Sequence, residues 1–314
     1  MGSPIRLQAA TLAGSALRSD DRILVLGASG WLGQTCLGLL PKAASEQVMA
    51  IGSLSRNVKV EERLWPIMDW DAKAVEDFSP TVILNFAFLT REKEPLLGST
   101  EYIRQNMELT SRFLSVAAGR QVRLALTTSS GAAVSRNFGE SFKSLNTYGR
   151  LKASEEESLL ELANAGRSIV IARAWSLSGT LVRRPRDYAF SDLIIRNFNH
   201  DALVRSASDV WRRYTLAEDF LSVAVASSLY APVSTIDSGG DLIELKRLAA
   251  IIAGEAFAGV QHVSTELAGE ILRLHYVSDN QSWTSACRTL RYEPAPLEEQ
   301  VAHVASYFQQ NHIA

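Results

Sequence analysis

The chain has 314 residues, 46% of them hydrophobic and 21% charged, which is enough for one large or two modest domains with a core that needs no disulfide staples. Its formal net charge of -2 provides no global basic field, so its partners are small molecules or copies of itself, with no nucleic acid and no membrane surface among them. Cys36 and Cys287 lie far apart without metal-ligand spacing and read as reduced core residues of a cytoplasmic protein, and the five histidines form no HExxH or other tight cluster, so no metal site is expected.

In chain order, residues 1–21 contain LQAATLAGSAL, too weakly apolar for a secretion signal and followed by the charged RSDDR. They predict an extra short helix or arm. No run approaches the roughly 20 apolar residues of a membrane span. From residue 22, short apolar runs alternate with helical patterns: RILVLG, WLGQTCLGLLPKA, QVMAIG, TVILNFAF, EYIRQNMELTSRFLSVAAG, VRLALTTSS, the helix opening at Tyr148, and SIVIARAWSL. This alternation predicts an α/β fold, a Rossmann-like doubly wound parallel sheet over residues 22–175. Beyond Ser176 the rhythm breaks into mixed short elements and late helices, which predicts a smaller substrate lobe over 176–314, with some segments returning to the first domain.

The first candidate site is LVLGASGWLGQ. Gly27, Gly30 and Gly33 follow a buried strand and open a helix, so the turn Gly27, Ser29, Gly30, Trp31, Leu32, Gly33 is suited to a dinucleotide pyrophosphate at the free N–H groups of the helix start. After the second strand, where an acidic residue usually meets the ribose 2′-hydroxyl, the chain has Ser53 and Arg56 and no carboxylate. That pattern favours NADP over NAD.

The second site combines a serine-tipped strand with TYGRLKASEEE. A Tyr-x-x-x-Lys pair is by itself common on solvated helices. Here Ser129 and Ser130 end a strand at the sheet's carboxyl edge, and a lysine ammonium near Tyr148 would favour its phenolate, so Tyr148 can shuttle a proton while a serine hydroxyl holds a substrate oxygen.

Taken together, GASGWLG, Asn106 of YIRQN, TTSSGAA and YGRLK stand in the order seen in extended short-chain dehydrogenases/reductases, and the chain resembles their nucleotide-sugar epimerase/dehydratase group over roughly residues 22–312. The resemblance implies Tyr148 as acid/base and Lys152 as ligand of the nicotinamide ribose. It implies adenine contacts from Asp69 and Trp70, cofactor-lining Phe86 and Ala87, a supporting Asn106, and a homodimer. Counting along the strand selects Ser129 as the catalytic hydroxyl, whereas the pattern SSGAA selects Ser130. WRRYTLAEDF resembles the segment whose arginine, here Arg212, binds the nucleotide diphosphate and which Asp219 closes. Ser176 stands where a substrate-binding asparagine is usual. A second diphosphate arginine is absent from HYVSD, with Arg273 a substitute and Arg183, Arg184 and Arg186 close to the sugar loop in sequence. The Thr-Asp-Glu run of the dehydratases is missing. The implied activity is NAD(P)-dependent hydride transfer on a nucleotide-linked sugar, as 4-ketoreductase or epimerase in surface-polysaccharide precursor synthesis. The rival reading is a non-catalytic NAD(P)-sensing protein, which would have no need of a Tyr, Lys and Ser set.

Overall fold

The computed structural model describes residues 4–41, 46–53, 55–134, 145–201, 210–254 and 276–313. Its strands are β1 (Ile23–Leu26), β2 (Val48–Ile51), β3 (Arg56–Val60), β4 (Arg63–Met68), β5 (Val82–Asn85), β6 (Leu124–Ser130), β7 (Ser168–Ala174), β8 (Leu177–Ser178), β9 (Trp211–Arg213), β10 (Thr215–Leu216), β11 (Val233–Asp237) and β12 (Leu242–Glu244). Its α-helices are α1 (Pro4–Ser15), α2 (Trp31–Leu39), α3 (Ala72–Phe78), α4 (Glu94–Leu97), α5 (Ser99–Ala117), α6 (Thr147–Glu161), α7 (Ala189–Phe198), α8 (Ala217–Ser227), α9 (Leu245–Ile252), α10 (Gln281–Leu290) and α11 (Leu297–Gln310).

Eight strands form one sheet in the order β11-β7-β6-β5-β1-β2-β4-β3, parallel except for β3, which pairs antiparallel with β4. The runs ILVL and VILN are buried along their whole length because helices cover both faces, as near-continuous apolar strands require. On one face α1, α2, α8 and α10 pack through Ala9, Leu37, Phe220 and Trp283. On the other, α3, α5 and α6 contribute Val75, Phe113 and Leu159. A further core joins α7, α9 and α11 through Ile194, Leu248 and Phe308.

Two features depart from the plain sequence pattern. The polar stretch after β2 folds into the β3–β4 hairpin: RLWPIM alternates, burying Trp65 and Ile67, while β3 closes the sheet edge with exposed Arg56, Asn57 and Lys59. Charged residues on an edge strand discourage pairing with another chain. Residues 4–15, expected as an extra helix or arm, form α1 against α2 and α8, and every residue of α8 is buried. Asp21 then ties this entry to the sheet, accepting hydrogen bonds from Arg123 Nε (2.7 Å), Thr81 Oγ1 (2.9 Å) and the Arg18 N–H (2.7 Å).

The register creates the crevice. Leu26 of β1 is level with Asn85 of β5, and Asn85 with Thr127 of β6, so Thr128, Ser129 and Ser130 extend past the end of β5 while still paired with β7. Chain order reverses between β1 and β5, the position at which open α/β sheets receive ligands.

Candidate active site

This crevice opens into a cavity of about 800 Å3. One wall is the start of α2. After β1 the chain turns at Gly27 with φ +72°, where a Cβ would stand 2.5 Å from the Phe86 carbonyl carbon. A Cβ on Gly33 would meet the Gly27 carbonyl oxygen at 2.3 Å, so only glycine lets α2 seat on the turn. Gly30 is the N-cap, and no side chain caps the helix. Gly30, Trp31, Leu32 and Gly33 all line the cavity, so unpaired N–H groups of the first turn face open space, a geometry that fits a pyrophosphate. Ser29 is buried behind them, its carbonyl accepting from Gln34 Nε2 at 2.9 Å.

The opposite wall is β6 and the start of α6. Asn146 caps α6 by accepting from the Gly149 N–H at 2.8 Å, which sets Tyr148 in the first turn. Tyr148 lines the cavity beside Ser130, whose Oγ accepts from the Ala132 N–H (3.2 Å) and lies 3.1 Å from the Tyr276 hydroxyl. Ser129 also lines the cavity, but its buried Oγ has no partner. Burial pushes the Tyr148 phenol well above the ordinary tyrosine range; the neighbouring Ser130 hydroxyl opposes this, and Tyr276, Tyr102 and Glu155 add to the rise. Lys152 lines the same cavity. Its Nζ donates to Glu155 Oε2 and to the Thr128 carbonyl, both at 2.8 Å, and sits 3.7 Å from the centre of the Phe88 ring. Glu155 is thus the ion-pair partner of Lys152.

The sequence model of the NAD-dependent epimerase/dehydratase family matches residues 23–229, from β1 to just beyond α8. The chain belongs to this family. The match takes in the glycine turn, Tyr148, Lys152 and Arg212. A search of curated proteins finds no match. Among solved structures, the chain is similar to the UDP-glucose 4-epimerase of Thermotoga maritima determined with UDP-glucose (16% identity, TM-score 0.71, covering 92% of this chain and 99% of that one). It is similar to a UDP-N-acetylglucosamine 4-epimerase from Methanobrevibacter ruminantium (16%, 0.69, 93% and 99%) and to an epimerase from Methanothermobacter thermautotrophicus (17%, 0.67, 98% and 96%). At these identities the likeness is one of fold, which is the Rossmann-like sheet.

Of the residues that the family resemblance singled out, Ser129, Ser130, Tyr148, Lys152, Phe86, Ser176 and Arg212 line the same cavity as the α2 turn. Arg212 Nη1 donates to the Trp211 carbonyl at 2.7 Å, and its guanidinium lies 6.0 Å from the Tyr276 ring. Arg183 and Arg184 also line the cavity, whereas Arg186 is paired with Asp192 at 3.6 Å. Asp219 is interior, accepting from Tyr292 Oη (2.6 Å) and the Ala295 N–H (2.8 Å). Ala87 donates its N–H to Asn85 Oδ1 at 3.1 Å, and buried Asn106 accepts from the Leu89 N–H at 2.8 Å, bridging α5 to the loop after β5.

Ser53 and Asp69 are exposed outside the cavity, the Asp69 N–H donating to Ser55 Oγ at 3.1 Å, and Trp70 is half-buried with Arg112 5.4 Å from its ring. Arg56 lines a different, smaller cavity with Gln34, Lys59 and Arg183. Arg273 lies outside the described residues. Among the described residues no cluster of metal-ligating side chains forms, and no helix is long and apolar enough to cross a membrane.

Four cavity or network residues escaped the sequence reading. Phe88 stands edge-on to Tyr148, with ring centres 5.6 Å apart. Trp175, anchored through Nε1 to Asp237 Oδ1 at 2.6 Å, packs 4.9 Å from the Tyr276 ring. Trp175 and Tyr276 each flank a recognised motif, RAWSLSG and HYVSD, which was the available signal. Glu155 was hidden in the charge run EEE.

Proposed function

We propose that this protein carries out NAD(P)-dependent hydride transfer at C4 of a nucleotide-linked sugar, as a ketoreductase or an epimerase. The observation that carries the reading is the cavity shared by the uncapped α2 turn and the Ser129, Ser130, Tyr148 and Lys152 side chains. The turn fits a dinucleotide because its N–H groups are unpaired and a Cβ at Gly27 or Gly33 would fill the cradle. When bound there, the nicotinamide supplies the hydride acceptor or donor. The N–H groups of Trp31, Leu32 and Gly33 would hold the pyrophosphate and Lys152 the ribose, with Phe86 and Phe88 lining the same cavity.

Tyr148 takes the proton from a sugar hydroxyl or returns one to a carbonyl at its Oη, and Ser130 holds the same oxygen. The Lys152 ammonium, together with the positive charge an oxidised nicotinamide would bring, would favour the Tyr148 phenolate in the oxidative direction. Arg212, with Arg183 and Arg184, meets the diphosphate at the cavity's far side; the guanidinium fork suits phosphate oxygens. The family's 4,6-dehydratases need a further acid and base, and this chain has Ser-Ser-Gly-Ala at that place. That absence supports hydride transfer without elimination.

The test is turnover of a UDP- or dTDP-linked sugar panel with the copurified dinucleotide identified. Tyr148→Phe is expected to abolish turnover while NADH or NADPH still binds, and retained turnover overturns the mechanism. Stoichiometric cofactor consumption marks a reductase, and catalytic amounts mark an epimerase.

A further inference from the structure

The Lys152–Glu155 pair has no counterpart in the chemistry outlined above. Glu155 is 1% exposed and Lys152 3%, and their side chains are in contact in the interior beneath the cavity. The carboxylate is satisfied on every side: Oε1 accepts from Asn85 Nδ2 at 2.9 Å and Thr127 Oγ1 at 2.8 Å, and Oε2 from Lys152 at 2.8 Å. Asn85 and Thr127 face each other across β5 and β6, so two strands and one helix build the receptacle. Glu156, the next residue, is engaged elsewhere by Arg173, through Nε at 2.9 Å and Nη2 at 2.6 Å. Tyr148 and Tyr276 line the same cavity as Lys152, and the charged side chains that line it as well are Glu92, Lys93, Arg183, Arg184, Asp187 and Arg212. Among the described residues Glu155 is thus the carboxylate that compensates Lys152.

We propose that Glu155 is a positioning residue for the cofactor: its carboxylate fixes the Lys152 ammonium in place and supplies its counter-charge. Two of the three N–H groups are committed, to Glu155 and the Thr128 carbonyl, which leaves a third for the cavity that Lys152 and Phe88 line. A buried amine without an anion sheds its proton readily, and a neutral amine is a weaker donor to ribose hydroxyls. Glu155 therefore decides whether the third N–H is delivered in one place and in charged form. The proposal rests on Lys152 contacting the bound cofactor, as the functional reading holds.

The experiment is NADH and NADPH titration followed by nucleotide fluorescence, from about pH 6 to 9. Wild-type affinity is expected to be flat, whereas that of Glu155→Gln falls about tenfold as pH rises, the equivalent of one lost charge-assisted hydrogen bond. Glu155→Asp, which keeps the charge, retains a flat profile. Adding Lys152→Met to Glu155→Gln removes the pH dependence and restores thermal stability, because no uncompensated charge remains. A Glu155→Gln protein that binds with a flat profile overturns the proposal. If Glu155→Gln does not fold, folding of the double variant supports it, and failure of both overturns it by assigning the carboxylate to Asn85 and Thr127 alone. A wild-type protein that binds neither nucleotide overturns the functional reading instead, a distinct result.

Discussion

Gly33→Ala tests whether the α2 turn is the cofactor's seat. The added Cβ would stand 2.3 Å from the Gly27 carbonyl oxygen and 2.7 Å from the Ala28 Cα, both backbone atoms, against an ordinary contact of 3.4 Å or more. The helix start must therefore withdraw by about 1 Å, since backbone cannot yield as a side-chain tip can. Overpacking of this kind costs about 1–3 kcal/mol, read as a fall of about 2–8 °C in Tm. The same withdrawal takes the first-turn N–H groups off the pyrophosphate, and losing one charge-assisted hydrogen bond weakens NADH binding at least about tenfold. Fluorescence titration and thermal unfolding by circular dichroism measure the two effects. Gly14→Ala is the control: its nearest neighbour, Pro41 Cγ, would be 3.5 Å away, and alanine in helix α1 is neutral or stabilising by up to about 1 kcal/mol. Wild-type affinity and Tm in Gly33→Ala would refute the close seating of α2 and its part in binding.

Two other outcomes follow from the charged groups. Burial raises Asp219 from 3.8 to about 6 in spite of hydrogen bonds from Tyr292 and Ala295. The folded state then keeps a proton that the unfolded chain has released, so this contribution is complete below about pH 4 and is lost as pH rises to about 6, a change of about 3 kcal/mol. Urea unfolding of wild type and Asp219→Asn across that window should show the difference between them shifting by this amount in favour of wild type at the acid end; a constant difference contradicts the assignment. Arg212→Met should weaken UDP binding about tenfold, measured by thermal shift, while NADH binding is kept. Equal loss of both ligands would place Arg212 in the structural framework.

The parallel sheet was legible because strands buried on both faces have to be apolar throughout, and ILVL, VILN and SIVIA are. The β3–β4 hairpin was not, because an edge hairpin buries one face only, and RNVKV with its charged alternation resembles a loop. The same one-sidedness hid Glu155. A run of three glutamates on a helix normally faces water, but α6 crosses the ends of β5 and β6 where Asn85 and Thr127 supply polar partners, and those partners come from strands far away in sequence. The surroundings of Ser129 and Ser130 needed geometry as well: both line the cavity, but Ser130 Oγ lies 3.1 Å from the Tyr276 hydroxyl while the buried Ser129 Oγ has no partner.

Helix α1 also bears on how the chain is made. It leaves the ribosome well before α8, one of the surfaces that cover it, which is synthesised about two hundred residues later. Until then its small-residue face, Ala9 and Ala13 among it, has only α2 to pack against. Docking of α1 is thus a late closing event in biosynthesis, and a recombinant version begun at residue 22 would leave the apolar flank of α8 uncovered and prone to self-association.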